Sequence, residues 1–439
     1  MNFDRLRQLL IQKAIEGRLV VQLDNEPPVK QLGSVPRNVP FSIPKKWKWI
    51  ELGEILTISS PRRVHKSDWK SNGIPFLRAR EIANLADFGV LQNELFISNS
   101  LFEERKLKGE VPVAGDIVLT AVGTLGKCYV VRVNDVFFCK DTNTLRFSNI
   151  SQDPNYIKML FASTYLKGVM QKTAIGSTVK NLTIGVMRKY VIPIPPLEEQ
   201  HRIVARLNEL LAVIKQAEDA YTDLQSLGKT LRERILQKAI EGKLVPQFDE
   251  EPDVEQIGEA PAEVLFSIPQ KWKWSTIGAA LDYGRSEQIS GSDIPSSAWL
   301  LDLEDIEKET GKLLCRKRGS TSTSNKFVFK KNDVLYGKLR PYLNKCIVAD
   351  EDGFCTTEIV PIRQQLAGYE FEPEYIKAFL MSSFFVQYAN QASYGVKMPR
   401  LGTKDAKAAP IPVPPLAEQR RIVAKLNELL PLVDQMTAV

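Results

Sequence analysis

The chain of 439 residues carries two copies of one sequence frame, and this duplication limits the folds that it can adopt. Three blocks occur twice, with 12 identities in 19 residues, 8 in 9 and 14 in 18: 6–24 and 231–249, 41–49 and 266–274, and 194–211 and 413–430. A repeated sequence builds a repeated structural unit. The chain is therefore predicted to contain two pseudo-equivalent halves.

The segments between the repeated blocks differ almost everywhere. They span 50–192 and 275–411, with 143 and 137 residues, yet they share a skeleton: GDIVLTAVGTLGKCYVV at 115–131 parallels NDVLYGKLRPYLNKCIVA at 332–349. A duplicated enzyme should keep its reactive side chains in both copies. A duplicated reader of two targets should keep the scaffold and vary the loops, and this is the pattern that the chain shows.

A long helical segment is predicted between the two halves. From Leu197 to Ala239, apolar or small residues recur every seven residues in two columns, as in a coiled coil. The columns are Ile203, Leu210, Ala217, Leu224 and Leu231, and Leu207, Ile214, Tyr221 and Ile235. Gly228 interrupts the pattern and predicts a break between two helices, because glycine costs about 1 kcal/mol inside a helix.

Shorter helices are predicted at 4–17 and 416–436. The first is similar to the second part of the central pattern, and the second is similar to its first part. The chain therefore has the pattern of a circular permutation with two pseudo-equivalent rods. Each rod needs a partner helix, since short isolated helices are marginally stable.

The variable segments contain β-rich runs punctuated by Gly, Asn and Asp, followed by a helix at 154–171 and at 373–390. FSIPxKWKW is the expected first strand of each domain, and its tryptophans are predicted to fill cores: Trp47, Trp49, Trp272 and Trp274. The predicted fold class is α+β, with two pseudo-symmetric α+β domains separated by long antiparallel coiled-coil-like helices.

Composition excludes several classes of protein. The five cysteines form no C-x-x-C pair, and His65 and His201 are the only histidines, so the sequence predicts neither a disulfide framework nor a zinc site. No apolar run approaches the roughly 18 residues of a membrane span, and the N-terminus lacks an export signal, so a cytoplasmic protein is expected. The net charge of +7 is compatible with a polyanionic partner.

Three short motifs fall short of catalytic patterns. NEPPV at 25–29 lacks the aromatic residue of an amino-methyltransferase motif and is a proline-rich linker. GTLGK at 123–127 departs from the phosphate-binding loop pattern and predicts a glycine turn, and ERK at 104–106 lies in a charged helical stretch. The sequence thus predicts no catalytic and no metal-binding residue.

Basic residues cluster in the variable segments beside small, polar or aromatic residues. Arg reads guanine bidentately, while Lys, Ser and Thr hold phosphates, so these loops have the inventory for duplex DNA. The predicted DNA-binding residues are Arg62, Arg63, Lys66, Arg78, Lys127, Ser177, Lys180, Arg285, Arg316, Arg318, Lys338, Arg340, Tyr342, Lys397 and Arg400.

The motifs QKAIEGKLVPQ, IPxKWKW and IPxPPLxEQxRIVAxLxELL, placed around two dissimilar segments, resemble the specificity subunit of Type I restriction-modification systems. The resemblance covers essentially the whole chain. It implies that each variable segment is a target recognition domain that reads one half of a bipartite DNA site. It also implies that the helices set the spacing and dock two methyltransferase (modification) subunits, alongside restriction/translocase subunits. AdoMet, ATP and Mg are then expected on those partner subunits, and no cofactor on this chain.

The resemblance also suggests domain limits and contact positions. The limits are 1–40 for the N-terminal frame helix and linker, 41–195 for the first recognition domain, 196–265 for the central spacer, 266–414 for the second recognition domain and 415–439 for the C-terminal frame helix. The positions expected to bind partner subunits are Leu197, Gln200, Ile203, Leu416, Gln419 and Ile422.

Other functions stay open at this stage. A self-sufficient two-domain DNA-binding protein would bind its site without a methyltransferase. A duplicated scaffold for protein or glycan would bind DNA weakly and without salt dependence. A catalytic restriction enzyme is disfavoured, because the motifs that it needs are missing.

Overall fold

A computed structural model describes residues 2–34, 39–91, 93–140, 143–174, 180–261, 266–319, 322–363 and 369–438. The chain divides into two compact units, Met1–Ala220 and Tyr221–Val439. The elements of the first unit are α1 Phe3–Ile15, β1 Lys48–Glu51, β2 Thr57–Ser59, β3 Ile74–Leu77, α2 Ala79–Phe88, β4 Phe96–Ile97, α3 Asn99–Leu107, β5 Ile117–Thr120, β6 Cys128–Val130, β7 Phe138–Cys139, β8 Thr144–Ser148, α4 Pro154–Ala162, α5 Thr164–Thr173, α6 Ile184–Arg188 and β9 Val191–Ile194. Helix α7, Leu197–Ile240, begins in the first unit and ends in the second.

The second unit repeats much of this order. Its elements are β10 Lys273–Thr276, α8 Ile277–Ala280, β11 Asp282–Tyr283, β12 Gln288–Ile289, β13 Trp299–Leu301, β14 Lys317–Arg318, β15 Lys326–Phe329, β16 Val334–Gly337, β17 Cys346–Val348, β18 Gly353–Thr356, β19 Ile359–Arg363, α9 Pro373–Met381, α10 Ser383–Ala392, α11 Thr403–Ala408, β20 Pro410–Val413 and α12 Leu416–Thr437. Short 3-10 helices lie at Leu52–Glu54, Lys66–Asp68, Gly291–Asp293, Leu303–Asp305 and Pro341–Leu343.

Both units contain the same antiparallel sheet, which confirms the α+β fold class. Its strand order is β2-β8-β5-β6 in the first unit and β11-β19-β16-β17 in the second. The strands β5 and β16 are buried along their whole length, as expected for apolar runs at the centre of a sheet. A second sheet in each unit contains one parallel pair, β3 with β7 and β13 with β18.

A two-stranded ladder connects each domain to its frame helix. β1 pairs antiparallel with β9, and β10 pairs in the same register with β20. The prolines at the end of β9 and β20 stop each strand, so α7 and α12 begin immediately afterwards. Of the predicted core tryptophans, Trp47, Trp49 and Trp272 are buried, and Trp274 is half-buried against Phe266.

The repeated EG and IP motifs form one tight contact in each unit. Gly17 has a φ of 70° and ends the helical turn after α1, and Gly242 has a φ of 67° after α7. An added Cβ at Gly17 would collide with the ring of Pro44, and one at Gly242 would collide with Pro269. Glycine is therefore needed for two reasons: it adopts the left-handed φ without cost, and it has no Cβ to collide with the proline of the next segment.

A buried glutamine ties each frame helix to its domain. Gln200 Oε1 accepts a hydrogen bond from the backbone N–H of Asp153 (3.0 Å), and its Nε2 donates to Pro195 O (2.9 Å). Gln419 accepts in the same way from the N–H of Glu372 (3.0 Å) and donates to Pro414 O (3.0 Å). Both side chains are fully buried, so these hydrogen bonds replace water.

A buried carboxylate lies beside each of these glutamines. Glu199 and Glu418 are fully buried, and burial raises the pKa of each. Trp272 Nε1 donates to Glu418 (2.9 Å), which compensates part of the lost hydration. Nearby, Arg202 pairs with Glu26 and Arg421 pairs with Glu251, so the same ion pair joins helix and linker in both units.

Helix α7 is continuous over 44 residues, so the break predicted at Gly228 is wrong. In the second unit α7 lies antiparallel to α12: Gln225 Nε2 donates to Thr437 O (2.6 Å), whereas Arg232 pairs with Asp434. A Cβ at Gly228 would collide with the side chain of Thr437, so only glycine fits here without a shift. Close helix packing therefore explains this glycine.

The predicted seam is only partly buried. In the first unit Ile203 and Leu207 are buried, and Arg7 of α1 pairs with Glu218 of α7. In contrast, Ala217 and Leu231 are exposed. The heptad pattern thus predicted the helix correctly but overstated how much of it is covered within a unit.

The single helices predicted at 154–171 and 373–390 are each two helices. Ser163 separates α4 from α5, and Ser382 separates α9 from α10. Both serines have extended ψ angles of 153°, and each side chain caps the following helix by accepting a backbone N–H. Serine favours caps over helix interiors, which explains the break that the apolar pattern concealed.

The turn after β5 and the turn after β16 occupy the same place in the two units. Beside the first, the N–H of Leu182 donates to Ala121 O (3.0 Å); beside the second, the N–H of Leu401 donates to Lys338 O (3.0 Å). We call residues 121–127 the first turn and residues 338–345 the second turn.

Each turn contains two left-handed positions, which the two units fill with different residues; the second turn is one residue longer and contains the 3-10 helix Pro341–Leu343. In the first turn the left-handed positions are filled by Gly123 and Gly126, both with a φ of 77°. In the second turn they are filled by Arg340, with a φ of 52°, and Asn344, with a φ of 48°. Asparagine tolerates this region, but arginine is disfavoured there. The second turn therefore holds an arginine at a cost in backbone energy.

Replacing Gln419 by Ala should lower the free energy of unfolding by about 2–3 kcal/mol, because the buried N–H of Glu372 and the carbonyl of Pro414 lose their partner. Asn427, an exposed residue about two turns further along α12, gives the control: Asn427→Ala should change the free energy of unfolding by less than about 1 kcal/mol. Urea denaturation of the full chain measures both. Equal, small losses in the two variants would contradict this role of Gln419.

The left-handed position predicts an unusual order of stabilities at residue 340. Arg340→Gly should be about 1 kcal/mol more stable than Arg340→Ala, the reverse of an ordinary turn position, because only glycine adopts this φ without cost. Gly123→Ala should lose about 1 kcal/mol in the first unit, where open space around the Cβ excludes a clash. Thermal unfolding compares the three variants, and an Arg340→Ala protein as stable as Arg340→Gly would refute the argument.

Candidate nucleic-acid interface

In the second unit, the fold brings together five of the predicted DNA-binding residues from two segments. The second turn lies against residues 394–400, which we call the hairpin loop. The N–H of Arg340 donates to Pro399 O (2.7 Å), and Leu339 bridges to Arg400. The residues collected at this surface are Lys338, Arg340, Tyr342, Lys397 and Arg400.

Arg400 secures the base of the hairpin loop. Its guanidinium donates to both oxygens of Glu358, at 2.8 to 3.2 Å, and this carboxylate raises the pKa of Arg400. The backbones of Arg400 and Tyr394 exchange two hydrogen bonds of 2.9 and 3.1 Å. Arg400 is therefore engaged within the unit, and its clearest role is to position the loop.

The remaining cations at this surface are available to a ligand. Within the described ranges, Lys338, Arg340 and Lys397 have no ion-pair partner, and Tyr342 is exposed. The Nε atom of Arg340 is buried and has no hydrogen-bond partner. A buried Nε is closed to a ligand, so planar, bidentate recognition by Arg340 would use the two terminal nitrogens of its guanidinium.

The corresponding surface of the first unit carries two predicted residues. Lys127 ends the first turn and pairs with Asp87 of α2, and Lys180 lies next to the segment that bridges to that turn. Lys180 is exposed, and its Nζ reaches Gln171 O at 3.4 Å. Ser177 lies outside the described residues.

Other predicted residues of the first unit lie away from the first turn. Arg62 donates to Glu110 (3.1 Å) and remains largely exposed, while Arg63 and Lys66 are exposed without an ion pair in the described ranges. Arg78 precedes α2 and donates to the buried Glu81, which raises the pKa of Arg78. Of these four predicted residues, Arg63 and Lys66 are therefore the ones without an ion pair in the described ranges.

In the second unit, carboxylates hold three predicted arginines elsewhere. Arg316 pairs with Asp350 and Glu351 and stacks over Trp299, with 4.2 Å between the guanidinium carbon and the ring centroid. These carboxylates raise the pKa of Arg316, and Arg316 lowers the pKa of Asp350. Arg318 also contacts Glu351 (2.8 Å). Arg285 lies 3.8 Å from Asp282 and is mostly exposed.

Sequence reasoning missed several residues at the second-unit surface. Asn344 shapes the second turn, and its Oδ1 is buried without a partner. Tyr394, Val396 and Met398 expose apolar groups on the hairpin loop. In the sequence, only the predicted cations Lys397 and Arg400 point to this loop. Exposure and φ angles are not visible in a sequence.

The predicted partner-binding positions on the frame need correction. Gln200, Ile203, Gln419 and Ile422 are fully buried and bind within their own unit, so they cannot contact a partner subunit directly. They are retained in both copies because they hold helix and domain together. Leu197 is exposed and Leu416 is half-buried, so partner contact at these two positions stays a prediction.

The described residues contain no group of three or more His, Cys, Asp or Glu side chains that could hold a metal ion. In the same ranges, every helix is too short or too polar to cross a membrane.

A family profile described as "Type I restriction modification DNA specificity domain" matches residues 44–220 and 307–436. The Type I restriction enzyme EcoDI specificity subunit of Escherichia coli is 23% identical over 409 residues, covering 89% of this chain and 83% of that protein. A putative type I restriction enzyme specificity subunit of Haemophilus influenzae is 32% identical over 163 residues, covering 37% and 40%.

Two solved structures share the fold. One belongs to work on the "structural basis underlying complex assembly and conformational transition of the type I R-M system", with a TM-score of 0.65, 19% identity and coverage of 91% of this chain and 94% of that chain. The HsdS subunit from Thermoanaerobacter tengcongensis has a TM-score of 0.53 and 18% identity over 91% and 93%. Since the family profile covers well over half of the sequence, the chain belongs to the family of Type I restriction-modification DNA specificity proteins.

Proposed function

We propose that this chain recognises a split DNA site, with one half read by each unit. The observation that carries the proposal is the pair of equivalent turns, which both use two left-handed positions but place glycines there in one unit and Arg340 with Asn344 in the other. A shared scaffold with different side chains suits two different sequences. Because the two turns differ, the two halves of the DNA site should differ in sequence.

We infer that α7 sets the spacing of the two half-sites and that the chain works with two methyltransferase subunits and with restriction/translocase subunits. In this proposal AdoMet, ATP and Mg belong to those partners, and this chain is non-catalytic. The assigned family and the duplicated frame support it. The domain limits given above and a cytoplasmic localisation stay predictions.

A partner that binds twice needs the same surface twice. One turn of each frame helix supplies such a surface, because three of its exposed residues are identical in both copies; between them Arg206 corresponds to Lys425, and each of these cations pairs with the glutamate three residues later. The identical residues are Ala205, Asn208 and Glu209 in α7 and Ala424, Asn427 and Glu428 in α12. Exposed positions nearby have diverged: His201 corresponds to Arg420. We propose that these two surfaces dock the methyltransferase subunits.

Arginine at the centre of either docking surface should remove one methyltransferase subunit. Ala205→Arg or Ala424→Arg alone should reduce the complex from two such subunits to one, and the double variant should retain none. Ala220→Arg, at an exposed alanine about four turns further along α7, is the control and should keep both. Native mass spectrometry of the purified complexes counts the subunits. A double variant that keeps two subunits would exclude these surfaces.

The split site is tested by locating the methylated positions in cells that express the complex. The unaltered chain should give two short defined elements separated by unspecified bases. Arg340→Ala should relax one position in one element only, at a cost of about 1–3 kcal/mol, because a bidentate contact to guanine is lost.

Lys338→Ala is the matched control for Arg340→Ala, since it removes a neighbouring cation without a planar donor pair. It should weaken binding to all sequences alike and lower the slope of log affinity against log salt by about one unit. Binding to a panel of single-base variants separates the two effects. A continuous or palindromic site would contradict the proposed function, and an unchanged profile for Arg340→Ala would remove this residue from the site.

A further inference from the structure

The tip of the hairpin loop exposes three large side chains with apolar surface. Val396 is fully exposed, at 102% of its reference surface, the highest value among the large apolar residues in the described ranges. Tyr394 is 63% exposed and Met398 is 47% exposed. Apolar side chains grouped on a surface in this way mark a site of contact.

The tip stands on a firmly held base. Tyr394 and Arg400 close the loop with two backbone hydrogen bonds, and Glu358 anchors Arg400. The N–H of Arg340 donates to Pro399 O, so the hairpin loop and the second turn are joined. A held loop loses little conformational entropy on binding. The tip can therefore insert into a ligand with little loss of conformational entropy.

The charges around the tip favour DNA as that ligand. Lys397 lies between Val396 and Met398 in the sequence, and Lys338 and Arg340 lie on the adjoining second turn. None of these cations has an ion-pair partner in the described part of the chain. Contact with phosphates alone would not need apolar groups, whereas a contact inside a groove uses them to press between stacked bases.

We propose that the hairpin tip is a wedge: Val396 and Met398 enter a groove of the duplex beside the base that Arg340 reads and unstack one base step there. The proposal rests on the proposed DNA recognition and adds a distortion of the site to it. Sequence preference then arises also at the deformed step, since some steps unstack more easily than others.

The wedge is tested with the complete complex and duplexes that carry the mapped site, with 2-aminopurine placed at successive positions of the half-site read by the second unit. Unstacking increases the fluorescence of this base, so binding should raise the signal several-fold at one step. The double variant Val396→Ser/Met398→Ser should lose that rise and bind about tenfold more weakly. Both positions are exposed, and Lys397 is kept, so fold and local charge are preserved.

Leu314→Ser is the matched control, because Leu314 is an exposed apolar residue of the same unit away from the hairpin loop. It should leave both the fluorescence rise and the affinity unchanged. Specific binding without a fluorescence rise at any step would overturn the wedge and leave the proposed function standing. So would a rise that persists in the double variant, and a double variant that loses its methyltransferase subunits would identify the tip as a protein contact. An unaltered complex that binds no duplex would refute the proposed function and the wedge together.

Discussion

The structure depends on a buried amide at the start of each frame helix. Two prolines end the last strand of the domain, the helix begins at once, and the glutamine three residues after its first leucine bonds back to the domain. Gln200 and Gln419 are fully buried, so water cannot take the place of these hydrogen bonds if they are lost. The repeated frame residues therefore fix how each domain is oriented on its own helix. The loops are then free to change without disturbing this orientation.

The frame could be predicted from the sequence because its residues are under the same packing constraint twice. Repetition exposed the two units, and the heptad pattern located α7 and α12. The same reasoning failed at Gly228, because a glycine that admits a neighbouring helix looks like a glycine that ends one. It also failed at Gln200, since a repeated polar residue is equally consistent with a partner contact and with a buried hydrogen bond. Only burial separates these alternatives.

The sequence predicted which cations belong to the candidate interface. It did not predict which of them are paired with carboxylates and which have no ion-pair partner. Arg400 is neutralised by Glu358, 42 residues away, and Arg316 by Asp350, 34 residues away. Pairings at such distances follow from strand order, which no local pattern reveals. Arg340 and Lys397 remain without such a carboxylate in the described ranges. Tertiary contacts therefore decide whether an arginine is paired with a carboxylate or left without one.

The second turn combines a strained backbone position with a buried side-chain nitrogen that lacks a hydrogen-bond partner in the described ranges. Glycine is the inexpensive residue at a left-handed position, and the first unit uses it at Gly123. The second unit places Arg340 in the same left-handed region, with a φ of 52°. It leaves the Nε atom of Arg340 buried without a partner in the described ranges and joins the Arg340 backbone to the hairpin loop. A residue that costs backbone energy and an unmet hydrogen bond is not explained by stability. Because the Nε atom is buried, a ligand would meet the terminal guanidinium nitrogens instead, and the strained turn holds that planar cation beside the apolar tip of the hairpin loop.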